Sequence, residues 1–279
     1  MPRPNLFAAS VVLTIASVIL LLALLVTQGA AAHVPAARVP TSPPAAPPTF
    51  QPPSRYCYSW DFNNSTGQDA TGVQLRLSDV QTPTEVYTDT LNPFGDPDPS
   101  SGYDAGTGTY RFNFGNGVAY DSDRVLLGLC TDQAHLRLDP VGGAQWFSDT
   151  TPLAPAPLFA GVEFNWLARD QVTVKIVNEQ DTTMTLDSAI GLQPDVLLPL
   201  TDLIPDIAQQ LPLVTELITE PMILPPLASQ AFDVQLTALN QPIVFEVQLS
   251  PEDDPTDMVH LLAQTTVPGW QVFLPIIRR

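Results

Sequence analysis

Tyr56-Cys57-Tyr58-Ser59-Trp60-Asp61-Phe62 decides the fold. Four aromatic side chains fall at every second position, with Cys57, Ser59 and Asp61 between them. Successive side chains of a strand point to opposite faces, so this is a β-strand with one aromatic face. An aromatic ladder can be a sugar-binding platform, but rings of this size are more often core. Asn63-Asn64-Ser65-Thr66-Gly67 breaks the strand, and its overlapping N-x-S/T triplets read as glycosylation sequons. Val73, Leu75 and Leu77 then alternate with Gln74, Arg76 and Ser78, which gives a second strand.

Downstream the same period returns repeatedly. A short strand is expected around Glu85–Leu91, followed by a turn-rich loop to Gly106. Tyr110, Phe112 and Phe114 alternate and lead into Asn116-Gly117, a strong two-residue hairpin signal. RVLLGLC and HLRLD supply further strands, so residues 56–150 read as a β-sandwich with turns every 8–12 residues. Thr151–Pro157 carries three prolines and reads as a boundary or a crossing between sheets. Beyond it, Val162, Phe164 and Trp166 pair with Val172, Val174 and Ile176. Phe232, Val234 and Leu236 pair with Ile243, Phe245, Val247 and Leu249 about Asn240-Gln241. Val259, Leu261 and Ala263 suggest one strand more, and 158–279 reads as a second sandwich region. The fold expected is mainly β, with one or two antiparallel β-sandwich domains.

Residues 195–222 depart from this pattern. Leu203, Ile204, Ile207 and Leu211 have helical spacing, as do Leu213, Val214, Leu217 and Ile218. Prolines at 199, 205, 212 and 221 forbid one long helix, so two short helices capping an open end of the sandwich are expected. The alternative is an apolar surface that contacts a partner or ligand.

Upstream, Leu6–Val26 is apolar and uncharged, about 31 Å long as a helix and close to the span of a bilayer core. Arg3 precedes it and Gly29-Ala30-Ala31-Ala32 comes after. Residues 1–32 therefore read as a signal peptide or a membrane anchor that exports the rest of the chain. Residues 33–55 are rich in proline and small residues and read as an extended spacer with a reach of up to about 70 Å. The expected location is extracytoplasmic, either secreted or held to the membrane by the N-terminal helix.

The charge balance bounds the partners. Only 14% of the chain is charged, against about 25% in an average protein, and the net charge is −18 with Lys175 the single lysine. Such a surface repels nucleic acid. Cys57 and Cys130 are the two cysteines, and in an oxidising compartment an even count favours a bridge. Asp96, Asp98 and Asp104 could gather on Ca²⁺, although position six from Asp96 is Ser101 rather than glycine and no glutamate closes the loop. The acidic loop 251–257 reads as a solvated turn with a lesser capacity for cations. His33, His135 and His260 are the three histidines. His135 neighbours Asp132 and Asp139, a proximity expected by chance in so acidic a chain. The nucleophile elbow, the HExxH helix, the phosphate-binding glycine loop and the dinucleotide fingerprint are all missing from the sequence.

The stretch Trp60–Val80, WDFNNSTGQDATGVQLRLSDV, resembles a strand–NxTG–strand opening seen in uncharacterised exported bacterial proteins. The ending Phe273-Leu274-Pro275-Ile276-Ile277-Arg278-Arg279 looks like tails on exported proteins of some filamentous bacteria. The resemblance implies a bacterial cell-envelope setting and no particular activity. The leading expectation is a non-catalytic exported β-sandwich protein for surface display or binding, with a protein or glycan partner. A secreted hydrolase or carbohydrate-active protein is the first alternative, favoured by a cleft converging on His135 or His260 with carboxylates. An envelope accessory subunit binding a partner through 195–222 is the second.

Overall fold

The structure, a computed structural model, describes residues 50–78, 80, 83–86, 102–107, 109–114, 117–139 and 143–268. These fall in one compact unit, Pro48–Arg279. Residues 1–32, read from sequence as a signal or anchor, and residues 33–49 of the stretch read as a spacer lie outside the described residues, as do Asp96, Asp98 and residues 269–279. Among the described residues, no helix is long and apolar enough to cross a membrane.

The strands in chain order are β1 (Tyr56–Asn63), β2 (Gly72–Ser78), β3 (Glu85–Val86), β4 (Gly102–Asp104), β5 (Thr109–Phe114), β6 (Arg124–Thr131), β7 (His135–Leu138), β8 (Ala144–Ser148) and β9 (Thr151–Leu153). They continue as β10 (Ala160–Ala168), β11 (Gln171–Asn178), β12 (Met184–Leu192), β13 (Leu213–Glu216), β14 (Met222–Leu224), β15 (Ser229–Gln235), β16 (Pro242–Pro251) and β17 (Val259–Thr266). Sheet A runs β13-β12-β16-β17-β1-β6-β3, with β14 also on β12. Sheet B runs β15-β11-β10-β7-β2-β5-β4, with β8 on β2 and β9 on β8. All pairings described are antiparallel.

The two regions read from sequence, 56–150 and 158–279, do not separate. Each sheet takes strands from both, and β1 lies between β6 of the first region and β17 of the second. The reason is burial on two faces. β6, β16 and β17 are buried almost throughout, on both faces, so each takes a central place with cover on both sides.

The aromatic ladder of β1 is core. Tyr56, Tyr58, Trp60 and Phe62 are all buried and face sheet B. Tyr56 meets Phe164 at 5.5 Å between ring centroids, Trp60 meets Phe159 at 5.0 Å, and Phe62 meets Trp146 edge-on at 5.9 Å. Phe245 of β16 closes on Phe164 at 5.8 Å. These contacts seal the sheets face to face, leaving no ring of the ladder open to a sugar.

Pairing differs from the sequence expectation in three places. β10 and β11 form the expected hairpin, with Glu163 opposite Lys175. β15 and β16, read as a hairpin about Asn240-Gln241, lie in different sheets. The strand expected to return after Asn116-Gly117 is reduced, among the described residues, to a single bridge from Ala119 to Ala70, and the chain goes on to sheet A as β6, while β5 pairs with β2 and β4. The stretch 195–222 holds two 3-10 turns, Leu200–Asp202 and Pro205–Gln210, followed by β13 and β14 on the edge of sheet A. The turns lie on the outer face of sheet A against β1, β6 and β17 and do not cap its end. An isolated helix of one or two turns carries a nucleation cost, and the backbone of β12 offers Leu213–Glu216 ready ladder partners instead.

Two buried asparagines hold the crossings between sheets, and they do so in the same way. Asn64 follows β1; its Nδ2 donates to the carbonyls of Gln68 (2.8 Å), Ala119 (3.0 Å) and Tyr120 (3.2 Å), and its Oδ1 accepts from Thr66 N (3.2 Å). Asn178 ends β11; its Nδ2 donates to Thr182 (2.8 Å), Leu224 (3.0 Å) and Pro225 (3.0 Å), and its Oδ1 accepts from Gln180 N (2.9 Å). Each backbone N–H donates to the residue just before the returning strand, Asp123 or Ala228. The residue before that, Ser122 or Leu227, has a left-handed φ of 69° or 55°. Strand–Asn–strand and its return are thus built twice, once starting from sheet A and once from sheet B. The sequon reading of Asn64 gives way to this role, since its amide nitrogen is buried and spent on three carbonyls.

Candidate functional site

The outer face of sheet B carries a chain of charges. Alternation places Arg137 of β7, Glu163 of β10 and Lys175 of β11 outward, while Leu136, Val162 and Val174 point to the core. Glu163 accepts from Lys175 Nζ at 2.9 Å and from Arg137 Nη1 at 2.8 Å, and Arg137 Nε also donates to Glu179 Oε1. Burial pulls Arg137 down, but Glu179 and Glu163 outweigh it and hold the guanidinium above its ordinary value. Burial works to raise Glu163, yet Lys175 and Arg137 prevail and its carboxyl sits below the ordinary range. Glu179 is almost buried, at 6% side-chain exposure, and desolvation keeps it above the ordinary value despite Arg137.

Beside this network opens a cleft of about 610 Å³, lined among others by Ser78, Arg137, Asp139, Glu179, Asp181 and Leu227. It lies where the β11–β12 turn approaches the end of β7. Gly161 leaves room for Glu179: a Cβ there would stand 2.5 Å from Glu179 Oε1 and 2.8 Å from the Leu136 carbonyl. Gly161→Ala is therefore expected to push Glu179 off Arg137 and to cost about 1–3 kcal/mol, read as a lower urea midpoint.

The two carboxylates of the network predict opposite responses. Glu163 titrates below its unfolded value, so its contribution is present above the unfolded range and is lost as pH falls through the folded value. Glu179 titrates above its unfolded value, so its ionised form weighs against folding and that penalty lifts as pH falls. Glu163→Gln should lower the urea midpoint at about pH 7 and flatten its acid-side loss, whereas Glu179→Gln should leave it unchanged or higher.

The histidines do not meet. His135 sits opposite Glu163 on the outer face of sheet B. His260 sits on the outer face of sheet A, with Nδ1 3.4 Å from Glu246 Oε1, and His33 lies outside the described residues. Asp61, opposite His260 in register, is paired with Arg124. Neither His135 nor His260 lines the cleft.

Cys57 and Cys130 stand directly opposite one another on β1 and β6 and form a buried disulfide. Of the aspartates considered for Ca²⁺, Asp104 is described: it is exposed in β4 and accepts from Gly106 N at 2.8 Å, closing its own turn. Among the described residues no three acidic, histidine or cysteine side chains gather as a metal cage. In the acidic loop, Asp254 accepts from Thr256 N (3.1 Å) and Oγ1 (2.6 Å), bonds that lower its carboxyl and fold the loop on itself.

Sequence reasoning did not find the Arg137–Glu163–Lys175–Glu179 network. The available signal was the single lysine, placed by hairpin alternation opposite a glutamate. No protein-family model, no curated protein and no solved structure matches this chain.

Proposed function

We propose that this chain is an exported, non-catalytic β-sandwich protein that acts by binding, carried clear of the membrane or wall on its proline-rich spacer. The observation that carries the reading is the buried Cys57–Cys130 disulfide downstream of an uncharged apolar run of bilayer length. The separation of His135 and His260 on the outer faces of different sheets supports a non-catalytic role, and the cleft beside Arg137 and Glu179 supplies a concave surface for a ligand. The test is alkylation of protein recovered from outside the cytoplasm, followed by intact mass. The reading expects no alkyl group before reduction and two after it. Recovery in the cytoplasm with two reactive thiols would sink it.

A second reading, an accessory subunit docking through 195–222, is favoured by one observation. Val196 and Leu213 are 67% and 54% exposed within that segment, with Ile223 just beyond it at 59%.

A further inference from the structure

Residues 193–212 cross the outer face of sheet A as a strap. Within it, Asp202 N and Leu203 N bond locally to Pro199 and Leu200, and Ile207 N to Ile204. Leu198, Leu200, Leu203, Ile204, Ile207 and Leu211 rest on an apolar patch that includes the disulfide, Leu126, Val244 and Leu262. Gln264 of β17 ties the strap to the sheet through one peptide unit: its Nε2 donates to Leu198 O at 2.9 Å and its Oε1 accepts from Leu198 N at 3.0 Å.

The surface beneath the strap is not all apolar. Ser59 is fully buried and its Oγ has no hydrogen-bond partner; Glu246 is buried and its Oε2 has none. Register places Ser59 beside Cys57 and opposite Leu262, and Glu246 opposite Leu262 and Ile190, all residues of the patch beneath the strap. Closing the strap therefore buries two polar atoms that water would satisfy. Apolar contact favours the closed form and hydration favours the open one, while prolines 194, 199, 205 and 212 keep the segment from gaining stability as a helix.

We propose that residues 193–212 are a displaceable cover that opens as a unit while both sheets stay folded. Opening hydrates Ser59 and Glu246, the latter beside His260 across β16 and β17. Such sub-global opening is a property of segments with few ladder bonds.

Native-state hydrogen exchange on the full exported protein tests this. The hydrogen-bonded amides of Leu198, Asp202, Leu203 and Ile207 should exchange at least about tenfold faster than those of β1 and β17, with little dependence on low urea. Ser59→Ala removes an unpartnered hydroxyl without touching the strap and should slow strap exchange by about tenfold; Gln264→Leu should speed it by a similar factor. Strap and sheet amides exchanging together in the wild type, or an unchanged strap rate in Ser59→Ala, would overturn the proposal. Wild type and Ser59→Ala decide it even where Gln264→Leu fails to fold.

Discussion

Replacing Asn64 or Asn178 by alanine is expected to destabilise the protein by about 2–4 kcal/mol each, and replacement by aspartate by more. Alanine removes the donor that ties together the carbonyls of Gln68, Ala119 and Tyr120, or of Thr182, Leu224 and Pro225. Gln68, Ala119, Tyr120 and Pro225 each keep a second donor, Thr66 Oγ1, Ala70 N, Asp123 N and Ala228 N, so the cost lies in the lost bonds and the space left behind. Each hydrogen bond lost costs about 0.5–1.5 kcal/mol, and a buried group left with no partner about 1–3 kcal/mol. Aspartate is nearly isosteric, but it puts a negative acceptor where three carbonyl oxygens converge, so the fit remains and the electrostatics reverse. Asn63, half-buried and 3.4 Å from Asp257, serves as control: its alanine variant should stay within about 0.5 kcal/mol. Urea unfolding followed by tryptophan fluorescence reads all five variants. An Asn64→Asp protein as stable as wild type would refute the role given to the crossing.

Loss of the disulfide should cost about 4 kcal/mol, by reduction or by Cys57→Ala with Cys130→Ala. The bridge closes a segment of 73 residues, and most of its effect falls on the unfolded chain. In the folded state the two cysteines are already neighbours in the β1–β6 ladder, so their removal leaves the register intact. For a domain of this size the melting temperature should fall by roughly 8–16 °C. The far-ultraviolet spectrum at low temperature should be unchanged. Equal melting with and without reductant would mean that the thiols are not bridged.

The strands were legible because burial on one face leaves a mark at every second residue. Tyr56 to Phe62, Val162 to Trp166 and Val172 to Ile176 read correctly for that reason. Alternation says which face of a strand is buried, but it is silent on which sheet the strand joins. Hence β15 and β16 looked like a hairpin although they belong to different sheets, and Asn116-Gly117 looked like a turn within one sheet although β5 and β6 belong to different sheets. Partner choice depends on contacts across long sequence separations, such as Tyr58 with Ala263. The helical spacing of Leu213 to Ile218 misled because four apolar residues fit either period, and the free edge of β12 settled the matter. Asn64 read as a sequon because the triplet is local, while two of the three carbonyls it binds, those of Ala119 and Tyr120, are more than fifty residues away. The charge network had the same obstacle: Glu163 and Lys175 share a hairpin, but Arg137 and Glu179 reach them only through the β7–β10 pairing and the β11 turn.

One pair of sheets draws on both halves of the chain, with β1 joined on either side. Amide and Hα nuclear Overhauser contacts of β1 measure this directly. Tyr58 should show cross-strand contacts to Leu129 of β6 and also to Ala263 of β17. Contacts to Leu129 alone, with Ala263 paired only within the C-terminal half, would mean two separate sandwiches and would contradict the fold described.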